Sequence, residues 1–203
     1  MKLKTITSAG VLRGEKVLLR TDLNEPIRKS QDEICSKLSR ALPTIRFLLE
    51  RGSRVILMTH RGRPEGKVAP AFSNRALLTP LTELLKTKVK FATDVVGESA
   101  KKESQRLKNG EVLLLENLRF EKGEEKNSPK FSKALAELGT VYVNDGFAVS
   151  HRAHASTVGV TKFLPSFAGI EMVREVPSLL RVLGVTPRSV VVGGGGARIA
   201  AGR

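Results

Sequence analysis

The sequence predicts a doubly wound α/β fold, with a parallel sheet that carries helices on both faces. Near-continuous apolar segments alternate along the chain with helical segments, which is the pattern of buried parallel strands joined by crossover helices. The chain has 203 residues and is 40% hydrophobic, which suffices for one well-formed domain with an appendage.

Apolar runs rich in Val, Ile and Leu mark the strands. We predict strands at residues 17–23, 55–58, 89–91, 112–115 and 141–143. Ligands of open α/β sheets bind beyond the carboxyl ends of the strands, so the polar residues after each run are the candidates for a functional site.

Helical spacing of apolar residues and capping residues mark the helices. Ser73 or Asn74 is expected to cap the second helix, and Ser128 followed by Pro129 is expected to start the fourth. The predicted helices span residues 36–51, 74–86, 99–107, 129–138 and 171–183.

The end of the chain predicts a second domain that is absent. A strand-like run at 189–192 is followed by four glycines, and the chain ends at residue 203 without partners for that strand. We therefore expect a ligand-binding α/β domain at 1–165, an interdomain helix or hinge at 166–188, and the start of a truncated domain at 189–203.

The composition indicates which kinds of partner and which cellular compartment to expect. Lys and Arg number 35 against 20 Asp and Glu, and the net charge of +15 favours anionic partners such as phosphorylated metabolites or nucleic acid. Cys35 has no second cysteine to pair with, which predicts a reducing compartment such as the cytoplasm. No apolar run is long enough to predict a membrane span.

Arginines and a histidine follow the strands and are expected to meet at one edge of the sheet. Arginine forms bidentate contacts with carboxylate or phosphate oxygens, and histidine adds a donor that gains charge near neutral pH. We predict an anion clamp that binds a compact anion without a metal. Its candidate members are Arg20 after the first strand, His60, Arg61 and Arg63 after the second, Arg119 after the fourth and Arg152 after the fifth.

The stretch VNDGFAVSHRAHAS at 143–156 allows three interpretations. His151 and His154 have the spacing of a metal-binding pair, and Ser150 beside His151 suggests a nucleophile with its base. An anion-binding loop led by Arg152 is the interpretation that we favour. In it, His154 and Ser156 hold the loop in place, and Asp145 orients an arginine or caps a turn.

Several of these segments resemble the phosphoglycerate kinase family over its N-terminal half. The matching segments occur in the family's order and cover nearly the whole chain. They are RTDLNEP at 20–26, RALPTI at 40–45, THRGRP at 59–64, LLENLRF at 114–120, EEKN at 124–127 and VNDGFAVSHRAHAST at 143–157.

The resemblance implies a substrate site for 3-phosphoglycerate or 1,3-bisphosphoglycerate. It implies that Asp22, Leu23 and Asn24 bind the substrate with support from Arg20, and that His60, Arg63, Arg119 and Arg152 bind its phosphate or carboxylate. The position of the family's catalytic arginine corresponds to Lys37 in this chain. Lysine keeps the positive charge but lacks the planar guanidinium that makes bidentate contacts. Arg40 lies one helical turn away. Lys37 and Arg20 are thus the expected catalytic residues.

The resemblance also implies a second, nucleotide-binding half that takes Mg-ADP or Mg-ATP. GGAR at 195–198 resembles its opening, so Gly195, Gly196 and Arg198 are the expected nucleotide contacts of this chain. The rest of that half has no counterpart here, so we expect the chain to be inactive alone, or to work with a second chain that supplies the missing half.

A non-catalytic role in a ribonucleoprotein or another assembly is the alternative. It rests on the net charge of +15, and its phosphate-facing residues are expected at Arg40, Arg46, Arg61, Arg75 and Arg188. The low aromatic content of 4% argues against binding single strands through stacked bases.

Overall fold

A six-stranded parallel sheet forms the centre of the molecule. The structure is a computed structural model and describes residues 4–24 and 36–182. The strands are β1 Lys16–Arg20, β2 Arg54–Met58, β3 Val89–Phe91, β4 Val112–Leu114, β5 Val141–Asn144 and β6 Ser166–Ala168. Their order across the sheet is β3-β4-β2-β1-β5-β6, and each neighbouring pair is parallel. The Rossmann-like α/β architecture predicted from the sequence is confirmed.

Helices cover both faces of this sheet. They are α1 Ser36–Glu50, α2 Leu78–Leu85, α3 Glu98–Arg106, α4 Lys122–Glu125, α5 Pro129–Ala136 and α6 Ile170–Val182. Successive side chains of a strand point to opposite faces. Accordingly, Leu19 of β1 packs in one core cluster with Ile45 of α1, whereas Leu18 packs in the other with Leu135 of α5.

The predicted start of the helix at Ser128-Pro129 is confirmed, whereas the cap predicted at Ser73 or Asn74 belongs to a 3₁₀ turn, and α2 itself begins after that turn, at Leu78. Ser73 Oγ accepts a hydrogen bond from the backbone N–H of Arg75 at 3.1 Å and begins a 3₁₀ turn that leads into α2. Ser128 Oγ accepts from the N–H of Phe131 at 3.5 Å, with Pro129 in the first turn of α5.

The edge strand β6 was not predicted. It pairs with β5, and the N–H of Ala168 donates to the carbonyl of Lys4 at 2.8 Å. The predicted domain boundary at 165 thus lies one residue before a strand of the sheet, while the strand predicted at 189–192 lies outside the described residues. In the described part of the chain, no helix has the length and apolar character needed to cross a bilayer.

Candidate functional site

The polar segments that follow β1, β2, β4 and β5 meet at one edge of the sheet, as predicted. These four strands are neighbours, and backbone hydrogen bonds continue past their ends. Thr21 N donates to Met58 O at 3.0 Å, and Asp145 N donates to Arg20 O at 2.8 Å. These hydrogen bonds fix the backbone at the carboxyl edge of the sheet. The side chains of the loops that follow the strands project from this edge.

Cationic side chains converge around His60 at this edge. The ring is buried, and burial lowers its pKa to about 2, helped by the positive charges of Arg20, Arg119, Arg152 and Lys37. His60 is therefore neutral near neutral pH, and the expectation that it gains charge there is wrong. The same set of charges shows that Arg20, Arg119 and Arg152, three of the predicted clamp residues, lie close to His60.

Arg119 belongs to the clamp but is largely enclosed by protein. It is 5% exposed, its Nη1 donates to the carbonyl of Gly62 at 2.7 Å, and its Nε lies 3.1 Å from Glu125 Oε1. The N–H of Gly66 also donates to the Arg119 carbonyl at 3.0 Å. Arg119 thus braces the loop after β2 while it adds positive charge to the site.

Arg63 and Arg152 are the more accessible members of the clamp. Arg152 is half-buried, and its Nε lies 3.2 Å from His151 Nε2. Burial is the main cause that lowers the pKa of Arg20, His60 and Arg119, and the charge of Arg152 adds to each shift, which places Arg152 near all three. Arg63 is exposed on the loop after β2, and in the described part of the chain no contact joins it to the other clamp residues.

The segment after β1 presents an acid and an amide beside Lys37. Lys37 Nζ lies 2.7 Å from Asp22 Oδ2, and Asp22 Oδ1 accepts from the N–H of Asn24 at 3.1 Å. Asn24 Oδ1 in turn accepts from the N–H of Gly62 at 2.8 Å. The Leu23 side chain is fully buried, and its N–H donates to Thr59 Oγ1 at 3.0 Å.

Arg20 is 1% exposed and directs its guanidinium into the protein. Its Nε donates to Ser156 Oγ at 2.9 Å, Nη1 donates to the carbonyl of Thr21, and Nη2 lies 3.2 Å from His60 Nδ1. These contacts agree with a supporting role for Arg20. They place it on the buried side of the clamp rather than on the surface that a ligand would meet.

Glu124 is a buried acid next to these residues that sequence reasoning did not single out. It is 1% exposed, its Oε1 accepts from Ser156 Oγ at 2.5 Å, and its Oε2 accepts from Ser156 N at 3.0 Å. Burial raises its pKa, and the charge of Arg20 opposes that shift. We call Glu124, Ser156, Arg20 and His60 the buried relay, because each contacts the next.

The two histidines of the 143–156 stretch do not form a metal-binding pair. His151 is exposed, whereas His154 lies near the buried acid, with Nδ1 3.8 Å from Glu124 Oε1. Within residues 4–24 and 36–182, no group of three His, Cys, Asp or Glu side chains is arranged to hold a metal ion. Ser150 Oγ donates to the Gly146 carbonyl at 2.8 Å, so its proton does not face His151.

The loop after β5 is held as the favoured interpretation predicts. The carbonyl of His154 accepts hydrogen bonds from the turn that follows it, and Thr157 Oγ1 donates to the Arg152 carbonyl at 2.8 Å. Ser156 anchors the same loop to Glu124. Residues Ala155–Gly159 form a π-helical turn that brings the Ser156 side chain inward.

Asp145 caps α6, the helix that leaves the sheet, and among residues 4–24 and 36–182 no arginine is hydrogen-bonded to it. Its Oδ1 accepts from the N–H of Glu171 at 2.9 Å and of Met172 at 3.3 Å. Burial raises the pKa of Asp145 to about 6, although hydrogen bonds from the Thr44 side chain and from these two N–H groups oppose the shift.

Glu116 and Asn117, which end the β4 segment, shape the loop that carries Arg63. Asn117 Nδ2 donates to the carbonyls of Arg61 at 2.7 Å and Phe72 at 2.9 Å, so it ties the two ends of that loop together. Glu116 accepts from Ser73 Oγ at 2.6 Å. The sequence motif contained both residues, but nothing in it indicated this bracing.

Comparisons with known proteins bear on the same segments. The family model for phosphoglycerate kinase matches residues 7–201 of the chain. The chain belongs to the phosphoglycerate kinase family. The expected contacts Gly195, Gly196 and Arg198 fall in the matched range but lie outside the described residues.

Individual relatives agree with this assignment. The chain is 46% identical to a phosphoglycerate kinase of Methylorubrum populi over an alignment of 196 residues. This alignment covers 97% of the chain and 49% of the relative. The chain is also 47% identical over 186 residues to one of Maricaulis maris, covering 92% and 46%. The chain thus spans about half the length of the curated phosphoglycerate kinases that it matches.

Solved structures of the family show the same architecture. The structure of phosphoglycerate kinase from Coxiella burnetii has a TM-score of 0.78 at 34% identity, covering 89% of this chain and 45% of the other. The enzyme from Pyrococcus horikoshii has a TM-score of 0.79 at 31% identity, covering 93% and 47%.

Proposed function

We propose that this chain is the 3-phosphoglycerate-binding half of a phosphoglycerate kinase, and that it also accepts 1,3-bisphosphoglycerate. The observation that carries the proposal is the convergence of Arg119, Arg152 and Lys37 around a neutral, buried His60. Such a set of cations is complementary to a small molecule that carries a phosphate at one end and a carboxylate at the other.

The proposed roles follow the accessibility of each residue. Arg63 and Arg152 contact phosphate or carboxylate oxygens, while Asp22 and Asn24 accept from or donate to the ligand's polar groups. The backbone around Leu23 supports them, because its side chain is buried. Lys37 is the proposed transition-state cation, since phosphoryl transfer depends on positioned positive charge.

Transfer itself requires a nucleotide, and we propose that Mg-ADP or Mg-ATP binds outside the described residues. The described part of the chain offers no group of three ligands for a metal ion, so no step is assigned to Mg²⁺ here. Gly195, Gly196 and Arg198 remain the proposed nucleotide contacts of this chain. The cytoplasm is the proposed compartment.

Binding of 3-phosphoglycerate, measured by isothermal titration calorimetry at low salt, tests the substrate site. We expect saturable binding by the full chain, weakened about tenfold or more in Arg152→Ala and in Arg63→Ala, because each removes a charged contact. Arg106→Ala is the matched control, since it removes an exposed arginine at the end of α3. We expect its affinity to stay within about twofold of the original.

Two results would count against the proposal. If the chain does not bind 3-phosphoglycerate, it shares the fold of the family but not its substrate site, and the proposal is wrong. Equal losses in Arg106→Ala and Arg152→Ala would show that net charge, and not the site, attracts the ligand. We also expect no ATP-dependent turnover by the purified chain, and robust turnover would overturn the claim that it is inactive alone.

The alternative role in nucleic-acid binding is weaker on structural grounds. Several of its expected contacts are engaged within the protein: Arg46 Nη2 donates to the Leu84 carbonyl at 3.0 Å, and Arg61 Nη1 donates to the Ser73 carbonyl at 2.6 Å. Arg40 lies 3.5 Å from Glu175, and Arg75 stacks over Phe91. Arg188 lies outside the described residues.

A further inference from the structure

The buried relay begins at a carboxylate and ends at the histidine of the proposed substrate site. Its members Glu124, Ser156, Arg20 and His60 are each no more than 3% exposed. They come from four separate segments: α4, the π-helical turn at 155–159, β1 and the end of β2. A chain of buried polar contacts between such distant segments fixes the orientation of each member, because no water competes for the hydrogen bonds.

The hydrogen-bonding capacity of Ser156 gives the relay a direction. A serine hydroxyl has one proton to donate, and here Oγ donates it to Glu124 Oε1 at 2.5 Å. The lone pairs of Oγ are then left to accept from Arg20 Nε at 2.9 Å. Since the guanidinium is planar, fixing Nε also fixes the direction of Nη2.

The last contact determines the tautomer of His60. Arg20 Nη2 lies 3.2 Å from His60 Nδ1, and a guanidinium has only donors. Nδ1 must therefore accept, which leaves the ring proton on Nε2. Were Nδ1 protonated, two N–H groups would face each other inside the protein.

We propose that Glu124 is a positioning residue that acts through Ser156 and Arg20. It holds His60 as a neutral ring with its proton on Nε2, so that His60 offers an anionic ligand one hydrogen-bond donor and no charge. The identity of that ligand rests on the proposed function, whereas the tautomer does not. Glu124 itself contacts no ligand in this arrangement.

The tautomer is measured directly, without any ligand. Two-bond ¹H–¹⁵N correlation spectra of the full chain labelled with ¹⁵N-histidine distinguish protonated from unprotonated ring nitrogens. The chain has only three histidines, so a His60→Gln variant assigns the signals. We expect the His60 Nε2 to be protonated at neutral pH and Nδ1 to be unprotonated.

Ser156→Ala and Glu124→Gln test the two upstream members. Each is expected to replace the single tautomer with a mixture, and to weaken 3-phosphoglycerate binding about tenfold, the effect of losing one hydrogen bond to a charged group. Tyr142→Phe is the matched control. It removes a 2.8 Å hydrogen bond from Tyr142 Oη to the Ser156 carbonyl but leaves the Ser156 hydroxyl in the relay. We expect it to keep the original tautomer.

The spectra separate the relay from the proposed substrate. If the tautomer changes in Ser156→Ala but no form of the chain binds 3-phosphoglycerate, the relay stands and the proposed function fails. If His60 carries its proton on Nδ1, or if both Ser156→Ala and Tyr142→Phe leave the tautomer unchanged, the positioning role of Glu124 is wrong. Should Glu124→Gln fail to fold, Ser156→Ala, which removes only a hydroxyl, still decides.

Discussion

The arginines at the carboxyl edge of the sheet fall into two groups that differ in burial. Arg20 and Arg119, the inner arginines, are 1% and 5% exposed, and their guanidinium groups donate to neighbouring protein atoms. Arg63 and Arg152, the outer arginines, are exposed and half-buried. The inner pair shapes the floor of the site, whereas the outer pair remains accessible to an anion. Arginines at the same sheet edge thus differ in role: the buried ones hold the protein structure, and the accessible ones are available to an anion.

The strongest test of this division removes an inner arginine. Arg20→Met leaves Glu124 buried without its nearby positive charge, and we expect the free energy of unfolding to fall by about 3–5 kcal/mol at neutral pH. Urea denaturation followed by circular dichroism measures it. Arg152→Met, the outer counterpart, should change stability by no more than about 0.5 kcal/mol.

Adding Glu124→Gln to Arg20→Met checks the cause of the loss. The double variant no longer buries a lone charge, so it should recover part of the stability. A fall of less than about 1 kcal/mol in Arg20→Met would mean that the inner and outer arginines do not differ in structural importance.

Two buried acids extend the comparison, because only one of them is supported by an arginine. The charge of Arg20 opposes the effect of burial on Glu124, whereas hydrogen bonds from Thr44 and the start of α6, and no described arginine, do so for Asp145. Burial raises the pKa of Asp145 from 3.8 to about 6. The folded chain therefore binds a proton more tightly than the unfolded chain between these two values, and its stability falls as the pH rises through this range.

Asp145→Asn should remove that pH dependence. Between about pH 4 and pH 7, the unfolding free energy of the original chain should fall by roughly 2–3 kcal/mol more than that of the variant. Urea denaturation at both pH values measures the difference. Glu175→Gln is the control on the same helix, and its pH dependence should follow the original. A parallel pH dependence of Asp145→Asn and the original chain would show that the carboxyl group is not responsible.

Sequence reasoning predicted the fold well because burial leaves a pattern. The central strands are buried on both faces and read as apolar runs, and helix starts such as Ser128-Pro129 have their own local signature. The edge strand β6 is Ser-Phe-Ala, which is too short and too mixed to be recognised, and it forms because β5 and the carbonyl of Lys4 offer it hydrogen bonds.

Sequence reasoning named residue types for the candidate site but did not distinguish the structural position of each residue. Arginines after strands indicated an anion clamp, yet nothing local distinguishes Arg20 from Arg63, because the difference is how much protein surrounds each one. Glu124 was missed for the same reason. It stands beside Glu125, which is 47% exposed, while Glu124 itself is 1% exposed. Only the tertiary position of Ser156 reveals which of the two is buried.

The smallest expected effect concerns Lys37, which belongs with the outer group. Its Nζ lies 2.7 Å from Asp22 Oδ2, but its side chain is 36% exposed, so the pair adds at most about 1 kcal/mol to stability. Lys37→Arg should leave the unfolding free energy within about 0.5 kcal/mol of the original. We expect it to tighten 3-phosphoglycerate binding by about two- to fivefold, because the fork can hold Asp22 and a ligand oxygen together.

Calorimetry on Lys37→Arg and Lys37→Met separates charge from geometry at this position. Methionine fills a similar volume without a charge, so it should weaken binding while arginine strengthens it. If both substitutions weaken binding equally, the ammonium group itself is required, and the site is adapted to lysine in place of the family's arginine. If neither substitution changes the affinity, Lys37 does not contact the ligand, and the residues of the outer group that bind it are Arg63 and Arg152.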